Sequence, residues 1–250
     1  MICVIARHES LALLRSAQTW VLGAILAFLF GYLFLEQLEA FIAVQDQIAL
    51  QDYPLGLSGF LSVGFLQSLT LVVSIVAPLL AMRAFSDEYR QNTYALWQSS
   101  PVSSTALTLG KFSGLIVVQL LYIGMALCMM LILRGFAPID LPVIFSAATG
   151  LLLCSAATTA CGLYFSSLTR HGLIAIVASL AFIILLWLLG STDFGELPLQ
   201  GLRALSIRTH IGGFFQGYLQ SADIAYFLLL TLLFLLLTII RLDSLRQNGY

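Results

Sequence analysis

"RAFSDEYRQNTYALWQSSPVSSTALTLGKF", Arg83–Phe112, is a polar island in an apolar chain. It carries Arg83, Asp87, Glu88, Arg90 and Lys111 among Ser, Thr, Asn and Gln, with long hydrophobic runs on both sides. The whole chain of 250 residues is 60% hydrophobic and only 9% charged, against roughly 25% charge in a soluble domain. Apolar runs of this length cross a hydrocarbon core of about 30 Å as helices. The composition therefore makes the chain an integral membrane protein in a single unit, 1–250, because nothing outside the runs could bury a core of its own. The polar stretch is then a loop between two spans, and its length needs a reason.

Six apolar helices are predicted: Gln18–Leu35, Phe60–Met82, Ala106–Leu133, Pro142–Leu168, Gly172–Gly190 and Ile224–Ile240. With both termini in the cytoplasm, the inner side holds Arg7, Arg15, Arg83, Arg90, Lys111, Arg170, Arg241 and Arg246, while the outer side holds Arg134, Arg203 and Arg208. Lys/Arg bias of this kind sets orientation, so the polar stretch is placed inside. The opening "MICVIARHESLALLRS" (residues 1–16) alternates apolar and charged residues at helical spacing. It reads as an interfacial helix on the inner leaflet, with Ile5, Leu11 and Leu14 toward lipid and Arg7, Glu9 and Arg15 toward water. No small-x-small cleavage site follows, so a cleaved signal peptide is not expected.

No ionisable residue lies at mid-span, where ion-coupled carriers place the group that does the coupling. The same lack argues against a channel selected by a charged ring. Gly110-Lys111 lacks the glycine six residues earlier and the following Ser/Thr of a phosphate loop. Energy for transport would therefore come from another polypeptide, and no nucleotide or metal is expected on this chain. Cys3, Cys128, Cys154 and Cys161 form no C-x-x-C pair and read as packing residues. No basic patch suggests a nucleic-acid partner.

Read as a helix, Arg83–Trp97 groups Phe85, Tyr89 and Leu96 near one face. Asn92 offers a break, Ser100-Pro101 ends the element, and Ser103, Ser104 or Thr105 can cap the next span. Either this is a plain solvated linker, or its aromatics and mixed charge make a docking surface. The residues resemble the loop between the second and third spans of exporter permeases of the second ATP-binding-cassette type. Glu88, Thr93, Leu96, Ser100, Pro101, Val102, Gly110, Lys111 and Phe112 match that pattern, while Asn92 and Ala95 stand where Gly and an acid are usual. A second match, to the gliding-motility branch, is Leu205, Ser206, His210, Phe214 or Phe215, Gly217, Asp223, Tyr226 and Phe227.

The resemblance implies an all-α permease of six spans in a bacterial inner membrane. It would pair with a second permease chain, possess cytoplasmic ATPase subunits that carry ATP and Mg, and admit a periplasmic or membrane accessory subunit. Residues 83–105 would be the coupling segment, with Phe85, Glu88, Tyr89, Arg90, Thr93 and Leu96 as ATPase contacts. The loop with Arg170 and His171 would be a second contact, set against simple positive-inside anchoring. Residues 191–222 would form an outer re-entrant or interfacial segment marked by His210, Phe214, Gly217 and Asp223.

Polar residues in the spans, Gln67, Thr70, Gln119, Tyr122, Ser155, Thr158 and Thr159, are cargo-path candidates, although the Ala156/Ala160 and Ala157/Cys161 spacing of the fourth span favours close helix packing. Two rival readings stand beside the permease. "GLSG", Gly56–Gly59, fits a rhomboid-type serine protease with Ser58 as nucleophile, which would need a His within reach. A membrane assembly subunit that transports nothing has the same sequence features.

Overall fold

Residues 2–49, 56–90, 102–135, 140–190 and 203–247 are described by the computed structural model. Every regular element among them is helical: α1 (Ile2–Arg15), α2 (Ala17–Ala49), α3 (Leu57–Leu61), α4 (Gln67–Ala81), α5 (Arg83–Arg90), α6 (Ser104–Ile132), α7 (Leu141–Leu168), α8 (Gly172–Leu188), α9 (Ile207–Phe215) and α10 (Ser221–Gln247). A π turn, Ser62–Leu66, joins α3 to α4. Five stretches are long and apolar enough to cross a membrane: Ala17–Val44, Leu57–Arg90, Ser104–Gly135, Leu141–Leu168 and Ser221–Gln247. The predicted fifth crossing is the shorter apolar helix Gly172–Leu188.

Boundaries shift for local reasons. The first helix continues past Leu35 to Ala49, taking in residues expected in an outer loop. The second begins at Leu57, passes the π turn and Pro78, and runs on through Met82 into α5. The amide of Met82 still reaches the Pro78 carbonyl at 2.8 Å, so the ladder closes below the proline. Ser103 is the residue that caps the third span, its hydroxyl accepting from the Ala106 amide at 3.2 Å. Asn92, the expected break, lies outside the described residues.

The helix α7 is the hub, packing on α10, α4, α6, α8, α9 and α5. Its small residues explain this. Ala147, Ser155, Ala157, Ala160 and Cys161 are buried, and a Cβ on Gly162 would sit 2.9 Å from Ala81 Cβ and 3.0 Å from Pro78 Cα. With lipid as solvent, close van der Waals approach rather than water exclusion holds such helices together. Two polar side chains tie helices together inside the bundle: Gln119 Nε2 donates to Thr159 Oγ1 at 3.0 Å, and the Tyr122 hydroxyl donates to the Thr19 carbonyl at 2.8 Å. By contrast α2 is peripheral, with 11% of its apolar window buried. Trp20, Phe28, Tyr32 and Ile42 point away from the bundle.

The N-terminal helix differs from expectation. It lies against α6 instead of presenting Ile5 to lipid. A Cβ on Gly110 would meet Ile5 Cγ2 at 2.6 Å, and one on Gly114 would meet Glu9 Cβ at 2.8 Å. Gly110 and Gly114 form a small-xxx-small face, and α1 fills it. Glu9 consequently turns inward to Lys111 at 3.4 Å, whereas Leu11, Arg7 and Arg15 remain exposed.

Two sets of contacts fix which helix ends share a side. Lys111 and Val102, at the start of α6, meet Glu9 of α1 and Arg246 of α10, the latter donating to the Val102 carbonyl at 2.6 Å. Ser166, at the end of α7, accepts from the amides of Phe85 and Ser86 at 3.1 and 3.3 Å. At the opposite end Ser58 of α3 donates to Asp140, before α7, at 3.1 Å.

Candidate functional site

At the α1 end, the polar segment begins as α5, a direct extension of the second long helix. Its first turns are ordered by Ser166, whose hydroxyl accepts from two α5 amides and donates to the Met82 carbonyl at 2.8 Å. The inward face is Ala84, Phe85, Ser86 and Tyr89. Phe85 is completely buried, and Tyr89 is 7% exposed. Glu88 is held by Lys111 at 2.8 Å. These three expected ATPase contacts thus face the bundle and anchor the segment. The outward face is Arg83, Asp87 and Arg90, joined by long pairs of 3.9 and 3.6 Å. Such exposed pairs contribute little stability, so the two guanidinium groups are available to other acids. Thr93 and Leu96 lie outside the described residues.

Arg83, Asp87 and Arg90 line a cavity of 140 Å³ together with Met82, Gly172 and Leu173. Arg170 and His171, in the turn before α8, are exposed. The structure therefore brings the two predicted inner contacts beside each other.

Lys111 is what sequence reasoning missed. In the sequence it stands as an inner-side positive charge and a member of the loop pattern, with no partner indicated. Its side chain is 4% exposed, clamped by Glu9 and Glu88, and its Nζ stands 5.3 Å from the centre of the Phe85 ring. The available signal was its position one and a half turns inside a membrane helix, where an unpaired cation is costly.

Of the cargo-path candidates, Gln67 lines a cleft of 570 Å³ at the opposite end, with Gln37, Ser68, Trp187 and Arg208 around it. Thr70, Ser155, Thr158 and Thr159 are buried and bond carbonyls one turn earlier in their own helices. Gln119 and Tyr122 are buried in the interhelical bonds given above.

The outer motif forms a clip. His210 of α9 has both ring nitrogens facing acceptors, Asp223 Oδ1 at 2.6 Å from Nδ1 and the Ala204 carbonyl at 2.9 Å from Nε2. A carbonyl can only accept, so Nε2 is the donor to Ala204, and Nδ1 faces the Asp223 carboxylate. The ring stacks on Tyr226 at 4.2 Å, and the Tyr226 hydroxyl donates to the Leu205 carbonyl at 2.6 Å. Phe214 is fully buried, with its Cβ against Gly150 of α7. Gly217, with φ of 86°, closes α9: its amide reaches Phe214 O, and the Tyr218 amide reaches Gly213 O at 3.0 Å. That is a Schellman end, which needs the left-handed conformation glycine adopts freely. Replacing Asp223 with Ala leaves His210 without its carboxylate, and about 3 kcal/mol of docking is expected to be lost. Faster amide hydrogen exchange across 207–215, with α4 and α7 unchanged, checks this.

Ser58 does not have the setting of a nucleophile. It is 1% exposed, and its hydroxyl is engaged by Asp140, donating to the carboxylate and accepting from the Asp140 amide. His210, the outer histidine, is committed to Asp223 and Ala204.

No curated protein matches the chain. A family model described as ABC-2 family transporter protein matches residues 3–196. That range takes in α1, α5, both small-residue helix faces and α8. The chain belongs to the ABC-2 family of transporter proteins, the membrane-embedded permease components of ABC transporters.

Proposed function

We propose that this chain is a six-span inner-membrane permease subunit whose segment 83–96 docks on a cytoplasmic ATPase and transmits its closure to the spans. The observation that carries this reading is α5: a polar helix rigidly continuous with the second long span, pinned on one face and presenting Arg83 and Arg90 on the other. ATP and Mg reside on the partner. Arg170 and His171 add a second contact beside the first. Phe85, Glu88 and Tyr89 hold the segment in place, and Arg90 with Thr93 and Leu96 meets the ATPase.

Parity supports six crossings. The helices α1 and α10 both meet the start of α6, so the chain begins and ends on one side, and the number of crossings is even. The helix α8, with 17 residues, is about 25 Å long and supplies the sixth. The Lys/Arg bias puts that side in the cytoplasm. The segment 205–227 supports the gliding-motility branch within the family. A second permease chain is expected to complete the path, with the peripheral apolar face of α2 left to lipid or partner. The cleft at Gln67 is the proposed point at which cargo meets the outer half of the spans. A non-transporting assembly role would use the same surfaces and is separated by flux.

The test is copurification in mild detergent. Tagged chain is expected to bring an ABC ATPase with it, and Arg90→Glu with Arg170→Glu is expected to reduce the yield about tenfold while the chain itself remains monodisperse. A wild-type chain that brings no ATPase overturns the reading. ATP-dependent flux in vesicles then decides between transport and assembly.

A further inference from the structure

Lys111 joins three elements that the sequence keeps far apart. It sits on α6, takes Glu88 of α5 at 2.8 Å and Glu9 of α1 at 3.4 Å, and lies over the Phe85 ring. Its side chain is 4% exposed, against 17% for Glu88 and 21% for Glu9. One buried cation is therefore divided between two carboxylates, each on a different helix. A charge in such a place demands a counter-charge in every conformation. If α5 shifts, Lys111 cannot be left behind without a carboxylate, and Glu9 is the second acid in reach.

Packing beside this node is close but smooth. The α1 helix rests on Gly110 and Gly114, whose missing side chains leave a groove along which Ile5 and Glu9 lie. Across this face the long Lys111 side chain, paired at once with Glu9 and Glu88, is the link through which α1 follows α5. The opposite side of α1 is surface: Val4 is 72% exposed, and Ile2 and Leu11 are about as exposed as lipid-facing residues of the spans.

Resting on the permease reading above, we propose that Lys111 is a positioning residue that makes the N-terminal helix a moving part of the cycle. Displacement of α5 by the ATPase is passed through Lys111 to Glu9, and α1 shifts along the Gly110–Gly114 face in the inner leaflet. The helix is thus a driven lever rather than a static anchor.

The experiment uses the full complex with its ATPase. Native Cys3, Cys128, Cys154 and Cys161 are replaced by Ala or Ser, and spin labels are placed at Val4→Cys and Ile132→Cys, on α1 and at the far end of α6. The distance between them is measured without nucleotide and with Mg and a non-hydrolysable ATP analogue, labelled chain being diluted with unlabelled chain. The expected result is a nucleotide-dependent shift in wild type, its loss in Glu9→Gln, and its return in Glu9→Asp. Glu9→Gln leaves the Lys111–Glu88 pair intact, so ATPase copurification and ATP hydrolysis are expected to persist. That persistence separates the proposal from a merely structural role. No shift in wild type, or an undiminished shift in Glu9→Gln, overturns it while leaving the docking reading intact. If no ATPase copurifies at all, the docking reading falls first and this proposal with it.

Discussion

Gly162→Leu is expected to abolish recovery of folded chain. Position 162 lies on α7, the helix on which six others pack. A Cβ there would already stand 2.9 Å from Ala81 Cβ and 3.0 Å from the Pro78 α-carbon. Side-chain overlap can be relieved by a rotamer change, but the Pro78 contact is to backbone within α4 and has nowhere to go. Overpacking a well-packed core costs about 1–3 kcal/mol, and more when backbone must move. Here the displaced helix is α4, which carries α5 at its end, so α5 would shift too. Gly124→Leu is the control, because nothing lies within 4 Å of a Cβ at Gly124. Fluorescence-detected size exclusion of membranes solubilised in mild detergent should show little monodisperse Gly162→Leu protein and a normal peak for Gly124→Leu. Equal peaks would mean that the α4–α7 approach is looser than described.

Lys111→Met is expected to be the most damaging removal of a single charge. It leaves Glu9 and Glu88 facing each other across a site from which water is largely excluded. Breaking one side of a buried ion pair costs about 3–5 kcal/mol, because the remaining charge loses its compensation. The same principle predicts rescue. Lys111→Met combined with Glu9→Gln and Glu88→Gln replaces all three charges, and should recover most of the stability, since apolar or neutral substitutes for a buried ionic group are often no worse. Survival of monodisperse protein after graded heating measures both. A triple variant no better than Lys111→Met would show that the methionine fails on shape rather than on charge. Even a rescued triple variant is expected to lack the nucleotide-dependent movement of α1, because the tie is gone.

Hydrophobic run lengths made the membrane class and most spans readable without any fold, since a helix that must satisfy its own backbone in lipid is a local object. Residues 83–90 were likewise readable as an amphipathic helix on the second span, and Ser103 as a member of the capping group. The direction in which that helix faces was not readable. Phe85 and Tyr89 looked like docking aromatics because periodicity groups a face without saying what lies opposite it. The opposite surface is Ser166 and Lys111, supplied by α7 and α6.

The same limit explains α1, α9 and Ser58. Amphipathic spacing gave residues 1–16 as a two-faced helix, but could not distinguish lipid from the groove made by Gly110 and Gly114. His210, Gly217 and Asp223 were recognisable as a motif. Only folding showed that the histidine clips α9 to α10 and that the glycine ends α9 with positive φ. The Gly-x-Ser-Gly pattern was legible too, yet the partner of Ser58 is Asp140, the residue before α7. By itself, then, the sequence determined the solvent of this chain, its helices and the polarity of the segment between the second and third spans, because each depends on neighbouring residues. Tertiary structure decided which charges meet, which faces are spent on packing and which remain for a partner, because those depend on approaches between residues as distant as Glu9 and Lys111.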